Sequence, residues 1–255
     1  MDITANLTTC KACGAEGSGN YCHACGELYH THRITLKHML HEVWHLFTHF
    51  DKGFGYTLKQ LMLKPGYMQE EYIAGRRSLY QKPFSMFFLC GTITALALYW
   101  INRGVLAIHA SGDEAEGHYY QHYFVLLQMC LVPAYSFVAY LVFSKRYNFA
   151  EYLVILLYNT SMLFMFICIA NFFKLIFGAF ETGYIEIVIV LLYNVLTYLN
   201  LFNDEGRASV ILRTLLSSVI CFCHIARSDG VVHQIFYATQ LIQTFNTNFK
   251  LNFYV

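Results

Sequence analysis

Four of the nine cysteines stand in two short repeats near the start of the chain, with the spacing of metal ligands. Cys10-Lys-Ala-Cys13-Gly and Cys22-His-Ala-Cys25-Gly are C-x-x-C-G turns, with eight residues between Cys13 and Cys22. The glycine after each pair can adopt a positive φ, which turns backbone amides toward the thiolates. Two such turns predict one tetrahedral site of four cysteines that holds a structural zinc ion, within a zinc ribbon over residues 1–33.

The alternative to a zinc site is a pair of disulfide bonds, which a reducing cytoplasm disfavours. A segment of fewer than about 40 residues cannot build an adequate core alone, so metal binding would supply its folding free energy. A closed site of four thiolates has no open coordination position, which argues against catalysis there. Lys11 and Arg33 are too few basic residues for a nucleic-acid surface, and no nucleic-acid partner is expected.

A second group of potential ligands follows in residues 34–50. Apolar residues recur there at helical spacing and form one broad face, while four histidines fall on the opposite side. These are His38, His41, His45 and His49. Because imidazoles four residues apart on a helix can share an ion, His41 and His45 would form the centre of a second transition-metal site, with His38 or His49 as a third donor. The favoured interpretation, however, is a polar helix face whose histidines bond to nearby loops, since histidine tolerates partial burial.

The same helix matches H-E-x-x-H, a motif that holds a catalytic zinc in many metalloproteases, at His41-Glu42-Val43-Trp44-His45. In that mechanism Glu42 would be the general base, and Glu70 or Glu71 would complete the ligand set. Neither of these two carboxylates has a confirming motif around it. A glutamate between two histidines needs little explanation in a helix so rich in histidine, so a protease is the least favoured interpretation.

The composition of the chain indicates that most of its remaining elements are membrane helices. The chain is 56% hydrophobic and 13% charged, whereas about 25% of an ordinary soluble domain is charged. Runs of about 20 apolar residues suffice to cross a bilayer core of about 30 Å. The fold class predicted is an all-α integral membrane protein with a small N-terminal zinc ribbon and amphipathic juxtamembrane helices. About five transmembrane helices are expected, near residues 83–102, 119–144, 152–173, 182–203 and 208–226, in a domain over 83–226 followed by a tail over 227–255.

Lysine and arginine indicate the orientation of these helices. They gather before the first span, between the second and third, and between the fourth and fifth, and the alternate loops are poorer in them. This bias predicts an inner-membrane protein whose N-terminus, ribbon and histidine-rich region over 34–82 lie in the cytoplasm. Arg76, Arg77 and Lys82 would then lie at the level of the lipid headgroups, either as anchors or as a site that binds a lipid phosphate.

The stretch before the first span carries a recognisable pattern. It contains Asp51-Lys52-Gly53, Pro65-Gly66, Tyr72-Ile73, Gly75-Arg76-Arg77, Tyr80 and Pro83-Phe84. Together with the cysteine turns upstream and Asn148-Phe-Ala-Glu151-Tyr downstream, this resembles an uncharacterised bacterial domain-of-unknown-function family of multipass membrane proteins headed by a short zinc ribbon. The resemblance covers roughly residues 10–215 and is most specific over 34–89. It implies this architecture and no particular reaction.

Two functions from different classes remain after these observations. The favoured one is a membrane scaffold or regulatory adaptor that contacts membrane lipids and binds an unknown protein partner through its cytoplasmic head. The alternative is a metal-dependent membrane enzyme that acts on a lipid or lipid-linked substrate, with the histidines holding the ion and Arg76 and Arg77 the headgroup. Transport is disfavoured because few charged groups lie within the predicted spans.

Overall fold

The computed structural model describes residues 7–30, 33–37, 39, 53–109, 128, 130–143, 146–173, 176 and 183–220. For residues 106–109 and 183–184 it describes the backbone alone. The four predicted histidine ligands lie outside these ranges, as do all residues from 221 onward, which include the end of the fifth predicted span and the predicted tail over 227–255. Within the described residues a small ribbon precedes a short helical hairpin and a set of longer apolar helices. The prediction of a mostly helical chain with a cysteine cluster at its N-terminus is confirmed.

The ribbon contains two short strands, and the other elements of the described residues are helices. Strand β1 (Thr8–Thr9) pairs antiparallel with β2 (Glu16–Gly17), with Thr8 opposite Gly17 and Thr9 opposite Glu16. The helices are α1 (Phe54–Leu63), α2 (Tyr67–Ala74), α3 (Pro83–His109), α4 (Cys130–Val142), α5 (Phe149–Phe172), α6 (Gly183–Leu201) and α7 (residues 207–220).

Helices α3 and α5 form the main helix pair of the fold. Their contact is aromatic at Phe87 and Phe164, whose ring centroids lie 5.2 Å apart, and the hydroxyl of Thr94 donates to the carbonyl of Phe164 (2.9 Å). Among the described residues, two helices are long and apolar enough to cross a membrane, Pro83–Val105 and Phe149–Phe172. They correspond to the first and third predicted spans, and α4 and α6 are shorter apolar helices.

Helix α5 begins at a capping box. The side chain of Asn148 accepts a hydrogen bond from the amide of Glu151 (2.9 Å), and the carboxylate of Glu151 accepts one from the amide of Asn148 (2.7 Å). This reciprocal pair satisfies amides that the first turn of a helix leaves without partners. It explains why the helix begins at Phe149, three residues before the start of the predicted span.

The hairpin of α1 and α2 packs against α5 and α6. Its turn is Pro65-Gly66, and Asn200 of α6 donates to the carbonyl of Pro65 (2.6 Å). Gln69 of α2 donates to Asn159 of α5 (2.9 Å), and Asn159 donates to Asn194 of α6 (2.9 Å). Asn159 lies about 15 Å along α5 from its start at the usual rise per residue. The tip of the hairpin therefore reaches between the apolar helices.

A second cluster of aromatic residues joins the ends of three helices. Phe143 stacks on Tyr198 with centroids 4.3 Å apart and on Phe202 at 5.1 Å, while Tyr147 meets Tyr152 edge-on at 5.9 Å. The end of α4, the start of α5 and the end of α6 consequently lie on one side of the helical layer. The charged ends described below share this side.

Candidate metal centre

Two matching turns position the four cysteines. The amide of Gly14 donates to the carbonyl of Cys10 (2.9 Å), and the amide of Gly26 donates to the carbonyl of Cys22 (2.8 Å). Gly14 has φ 78° and Gly26 has φ 75°, in the left-handed region that glycine adopts without a steric penalty. The sequence repeat is thus a repeat of backbone conformation.

Each turn is closed at its base by a further backbone bond. The amide of Cys10 donates to the carbonyl of Ala15 (2.9 Å), and the amide of Cys22 donates to the carbonyl of Glu27 (2.7 Å). The strand pair β1–β2 extends the first turn, and an antiparallel bridge between Tyr21 and Leu28 extends the second. Two small hairpins therefore present two thiols each to a common point.

The four sulfur atoms all lie within 4.8 Å of one another. Cys10 Sγ is 3.6 Å from Cys25 Sγ, and Cys13 Sγ is 3.5 Å from Cys22 Sγ. A tetrahedral ion with metal–sulfur bonds of about 2.3 Å places its sulfurs about 3.8 Å apart, whereas a disulfide requires about 2.05 Å. All four are free cysteines. This set can hold a metal ion, and its geometry does not match the alternative of two disulfides.

The surroundings of the sulfurs shift their pKa values in opposite directions. Burial raises the pKa of the Cys22 thiol, but hydrogen bonds from the amides of Cys25 and Ala24 outweigh it and lower that pKa to about 6. At Cys25 the amide of Glu27 favours the thiolate, yet burial and the three neighbouring thiols raise its pKa to about 12. Backbone amides stabilise a negative charge on the sulfur of Cys22, and that charge disfavours ionisation of the neighbouring thiols. A bound divalent cation would offset this repulsion between thiolates.

The ribbon has a very small core among the described residues. Cys10, Cys22 and Tyr29 are its buried apolar residues. Tyr29 is so close to β2 that a Cβ added at Gly17 would collide with its hydroxyl. Three side chains of this size cannot offset the conformational entropy of ordering the segment, which is the situation in which small domains depend on a metal ion.

The ribbon is attached to the loop between α2 and α3. The carboxylate oxygen Oε2 of Glu27, which is buried, accepts hydrogen bonds from the amides of Arg77 (2.9 Å) and Ser78 (2.6 Å). From the same loop, Nε of Arg76 donates to the carbonyl of Lys11 (2.7 Å). Lys11 lies inside the first cysteine turn and Glu27 directly after the second. Both turns are therefore bonded to one short loop.

A second attachment follows the ribbon. Nε and Nη2 of Arg33 donate to the two carboxylate oxygens of Glu151 at 2.8 and 2.9 Å, and Nδ2 of Asn148 donates to the carbonyl of Ile34 (3.0 Å). The hydrogen bond and charge of Glu151 raise the pKa of Arg33. The segment that leads out of the ribbon is consequently fixed to the start of α5.

The predicted headgroup residues lie in the loop between α2 and α3 that holds the ribbon. Arg76 contacts the ribbon and forms an ion pair with Glu71 (3.4 Å), while the guanidinium of Arg77 lies over the ring of Tyr72, 5.9 Å from its centroid. Lys82 is exposed just before α3. Two of the three predicted residues thus have protein partners, and their role toward lipid stays a prediction.

The other proposed ligands are not brought together. The carboxylate of Glu70 pairs with Arg146 (3.1 Å), and that of Glu71 accepts from the hydroxyl of Tyr80 (2.7 Å). Within the ranges that the structure describes, the four cysteines are the one group of His, Cys, Asp or Glu at metal-binding distance. The histidine site and the protease interpretation involve residues outside these ranges and stay predictions.

Sequence reasoning missed Glu27. The two cysteine turns repeat closely, and the position occupied by Ala15 after the first turn is occupied by Glu27 after the second. This replacement of alanine by a charged residue in the second copy of the repeat was the signal that could have identified Glu27. The pair Arg33 and Glu151 was also missed, and it gives no such signal because the two residues are far apart in the chain.

Comparison with known proteins identifies one region of similarity. Residues 51–95 match the model of a family described as "Protein of unknown function (DUF3667)". This stretch contains the hairpin α1–α2, the loop that holds the ribbon and the first part of α3. The resemblance to a family of unknown function is confirmed for these residues, and the match includes neither the ribbon nor α5. No curated protein and no solved structure matches the chain.

Proposed function

We propose that the chain is a multispan membrane scaffold or regulatory adaptor whose cytoplasmic zinc ribbon presents a binding face to a protein partner. The observation that carries this proposal is the attachment of a closed four-thiol unit to the loop leading into α3, through Glu27 and Arg76. A closed ligand set of four sulfurs suits a structural zinc ion, which stabilises a small fold and has no open position for a substrate.

The faces of α6 support a membrane location. Val188, Leu192 and Leu196 are exposed along one side, whereas the hydroxyl-bearing Thr197 is buried and donates to the carbonyl of Tyr193 (2.9 Å). A helix on the surface of a soluble protein turns its apolar side inward. This reversed arrangement is what a helix needs when its outer neighbours are lipid chains.

Helix α7 has the same reversed arrangement. Leu212, Leu216 and Val219 are exposed, while Thr214 and Ser217 are buried and hydrogen-bonded to backbone carbonyls of the helix. Soluble monomers rarely expose contiguous apolar patches of this kind. These faces support spans beyond the two helices that are long and apolar enough to cross a membrane, and the five-span topology is part of the proposal.

Charged residues at one end of the helices support the proposed orientation. Arg146 forms ion pairs with Asp204 (2.8 Å) and Glu70 (3.1 Å), which connects the α4–α5 and α6–α7 turns to α2. The ribbon is attached on this same side through Arg33. A cytoplasmic location for this side agrees with the positive-inside bias of the lysines and arginines.

The ribbon offers a face for a protein partner. Tyr21 and Leu28, which are paired across the second turn, are both exposed, and so is Leu7 at the start of the first hairpin. Exposed aromatic and aliphatic side chains on a rigid unit are typical anchors of protein interfaces. This face adds the binding surface that an adaptor needs, whereas the alternative lipid enzyme rests on histidines that the structure does not describe.

Two measurements test this proposal. In the first, a single cysteine replaces Ile185, near the start of α6, or Asp204, three residues after the helix ends at Leu201, in a chain whose other non-ribbon cysteines are serine. The helix between them spans about 24 Å. An impermeant maleimide should label position 204 only from the cytoplasm. Labelling of 204 from the outer side would overturn the orientation.

The second measurement addresses the partner. A photoreactive side chain at Tyr21 should give one discrete protein adduct in membranes, and the same side chain at Asn203, an exposed control away from the ribbon, should not give it. The adduct should disappear when Cys10→Ser removes the metal. An adduct of equal yield at both positions, or none at either, would contradict an adaptor function.

A further inference from the structure

The loop from Gly75 to Gln81 connects the ribbon with three helices. Gly75, with φ 115°, ends α2, and the amide of Arg76 still donates to the carbonyl of Glu71 in that helix (3.0 Å). The amides of Arg77 and Ser78 are the ones that reach the ribbon. The amide of Arg77 is shared between Glu27 and the carbonyl of Gly75 (3.1 Å). The amide of Ser78 donates to Glu27 at the shorter distance of 2.6 Å. Ser78 is therefore the more direct reporter of the ribbon contact.

Beyond Ser78 the loop is bonded to the helical layer. The amide of Gln81 donates to the hydroxyl of Thr57 in α1 (2.8 Å), and the hydroxyl of Tyr158 in α5 donates to the carbonyl of Gln81 (2.6 Å). Helix α3 begins two residues later, at Pro83. A displacement at Ser78 would thus act on α1, α3 and α5 within a few residues.

The ribbon side of this contact belongs to the metal centre. Lys11, whose carbonyl accepts from Arg76, lies between Cys10 and Cys13, and its position depends on the conformation of that turn. Glu27 holds Ser78 with its side chain while its own carbonyl closes the second turn by accepting from Cys22. Opening either turn displaces one of the two groups that hold the loop.

We propose that the ribbon is a metal-dependent attachment that fixes residues 76–81, so that metal occupancy of the four cysteines controls the order of the loop into α3. Glu27 is the positioning residue of this device. With the ion bound, both turns are closed and the loop is held. Without it, the turns open, the amide of Ser78 loses its acceptor, and the bonds of Gln81 to α1 and α5 weaken. This inference rests on the proposed metal site and adds its regulatory consequence.

Amide hydrogen exchange of the full-length protein in detergent micelles tests the inference. In the zinc-loaded protein, the amide of Ser78 should exchange slowly, and removal of the ion with a chelator should accelerate its exchange by at least about tenfold, because protection reports local opening. Adding zinc back should restore the slow rate. Glu27→Ala should cause the same acceleration with zinc bound. Glu16→Ala, at an exposed position of β2, is the matched control and should leave the rate unchanged.

The metal content of each variant distinguishes a failure of the loop attachment from a failure of the proposed metal site. A Glu27→Ala protein that retains one zinc and exchanges Ser78 at the wild-type rate would overturn the attachment and leave the zinc ribbon intact. Should Glu27→Ala lose the ion, Glu27→Gln decides, because it keeps an acceptor without charge and should give an intermediate rate. A wild-type chain that binds no metal would overturn both the proposed centre and its control of the loop.

Discussion

Arg33 and Glu151 form a two-pronged ion pair between the segment that leaves the ribbon and the first turn of α5, with N–O distances of 2.8 and 2.9 Å. The two ends of the pair differ in environment, because the side chain of Arg33 is 62% exposed and that of Glu151 only 3%. Glu151 also accepts from the amide of Asn148 and so caps the helix. The carboxylate therefore has two structural tasks and the guanidinium one.

This difference predicts unequal effects of the two deletions. Glu151→Ala should lower the free energy of unfolding by about 2–4 kcal/mol, since it removes charge-assisted bonds and half of the capping box. Arg33→Ala should lower it by less, because the exposed guanidinium is screened by water and Glu151 keeps its bond from the amide of Asn148. Denaturant unfolding in detergent measures both, with Arg207→Ala, an exposed arginine of α7, as the control. A larger effect for Arg33 would contradict the assignment.

The glycine in the turn of the α1–α2 hairpin should not tolerate a side chain. Gly66 has φ 86°, and a Cβ there would lie 2.5 Å from the carbonyl oxygen of Thr197 and 2.6 Å from Cβ of Asn200. Gly66→Ala should therefore destabilise the protein by more than about 2 kcal/mol through backbone strain and overpacking.

Gly55 provides the matched control for this change. It lies in α1 with no atom within 4 Å of an added Cβ, and alanine there should be neutral or stabilising by up to about 1 kcal/mol. Thermal unfolding of both variants in the same detergent makes the comparison. Equal midpoints for the two would show that the hairpin does not pack against α6.

The linked side-chain amides of Gln69, Asn159 and Asn194 should contribute to the stability of the helical layer. Asn159→Ala removes the acceptor of Gln69 and the donor to Asn194 at once. Hydrogen bonds between helices in membrane proteins contribute about 0.6 kcal/mol on average, with a maximum of about 1.7 kcal/mol, so the variant should lose about 1–2 kcal/mol. Asn203→Ala, at an exposed turn, should be neutral. A double-mutant cycle with Gln69→Ala should show non-additive losses, and strict additivity would argue against the bond.

The local part of this fold could be predicted from the sequence. Each cysteine turn is determined by residues within five positions, because the thiols, the glycine and the closing amide all belong to the same tight turn. The helix break at Pro65-Gly66 is equally local, since proline and glycine act on their own backbone angles. For these features the spacing of residues along the chain determines the local geometry.

The position of the hairpin could not be predicted in this way. Its apolar periodicity indicated an amphipathic juxtamembrane helix, and periodicity shows only that one face is covered. What covers it depends on Gln69 meeting Asn159 ninety positions later in the chain. Glu27 and Ser78 are likewise 51 positions apart. The sequence marks Glu27 as a departure from the repeat but does not indicate that it contacts this serine. Long-range polar pairs of this kind become visible only once the helices are assembled.

The four-cysteine centre gives the final prediction. Cys13→Ser and Cys25→Ser should each remove the single metal equivalent, because three thiolates bind a tetrahedral ion far more weakly than four and serine is a poor replacement. The ribbon core is so small that loss of the ion should also expose residues 7–30 to protease while the helices remain protected. Cys130→Ser is the control, since this free cysteine lies on α4 and should leave both metal and protection unchanged. Elemental analysis and limited proteolysis of purified protein measure the two effects. Full metal content in Cys13→Ser would refute the centre, and metal lost instead in His41→Ala would belong to the predicted histidine site.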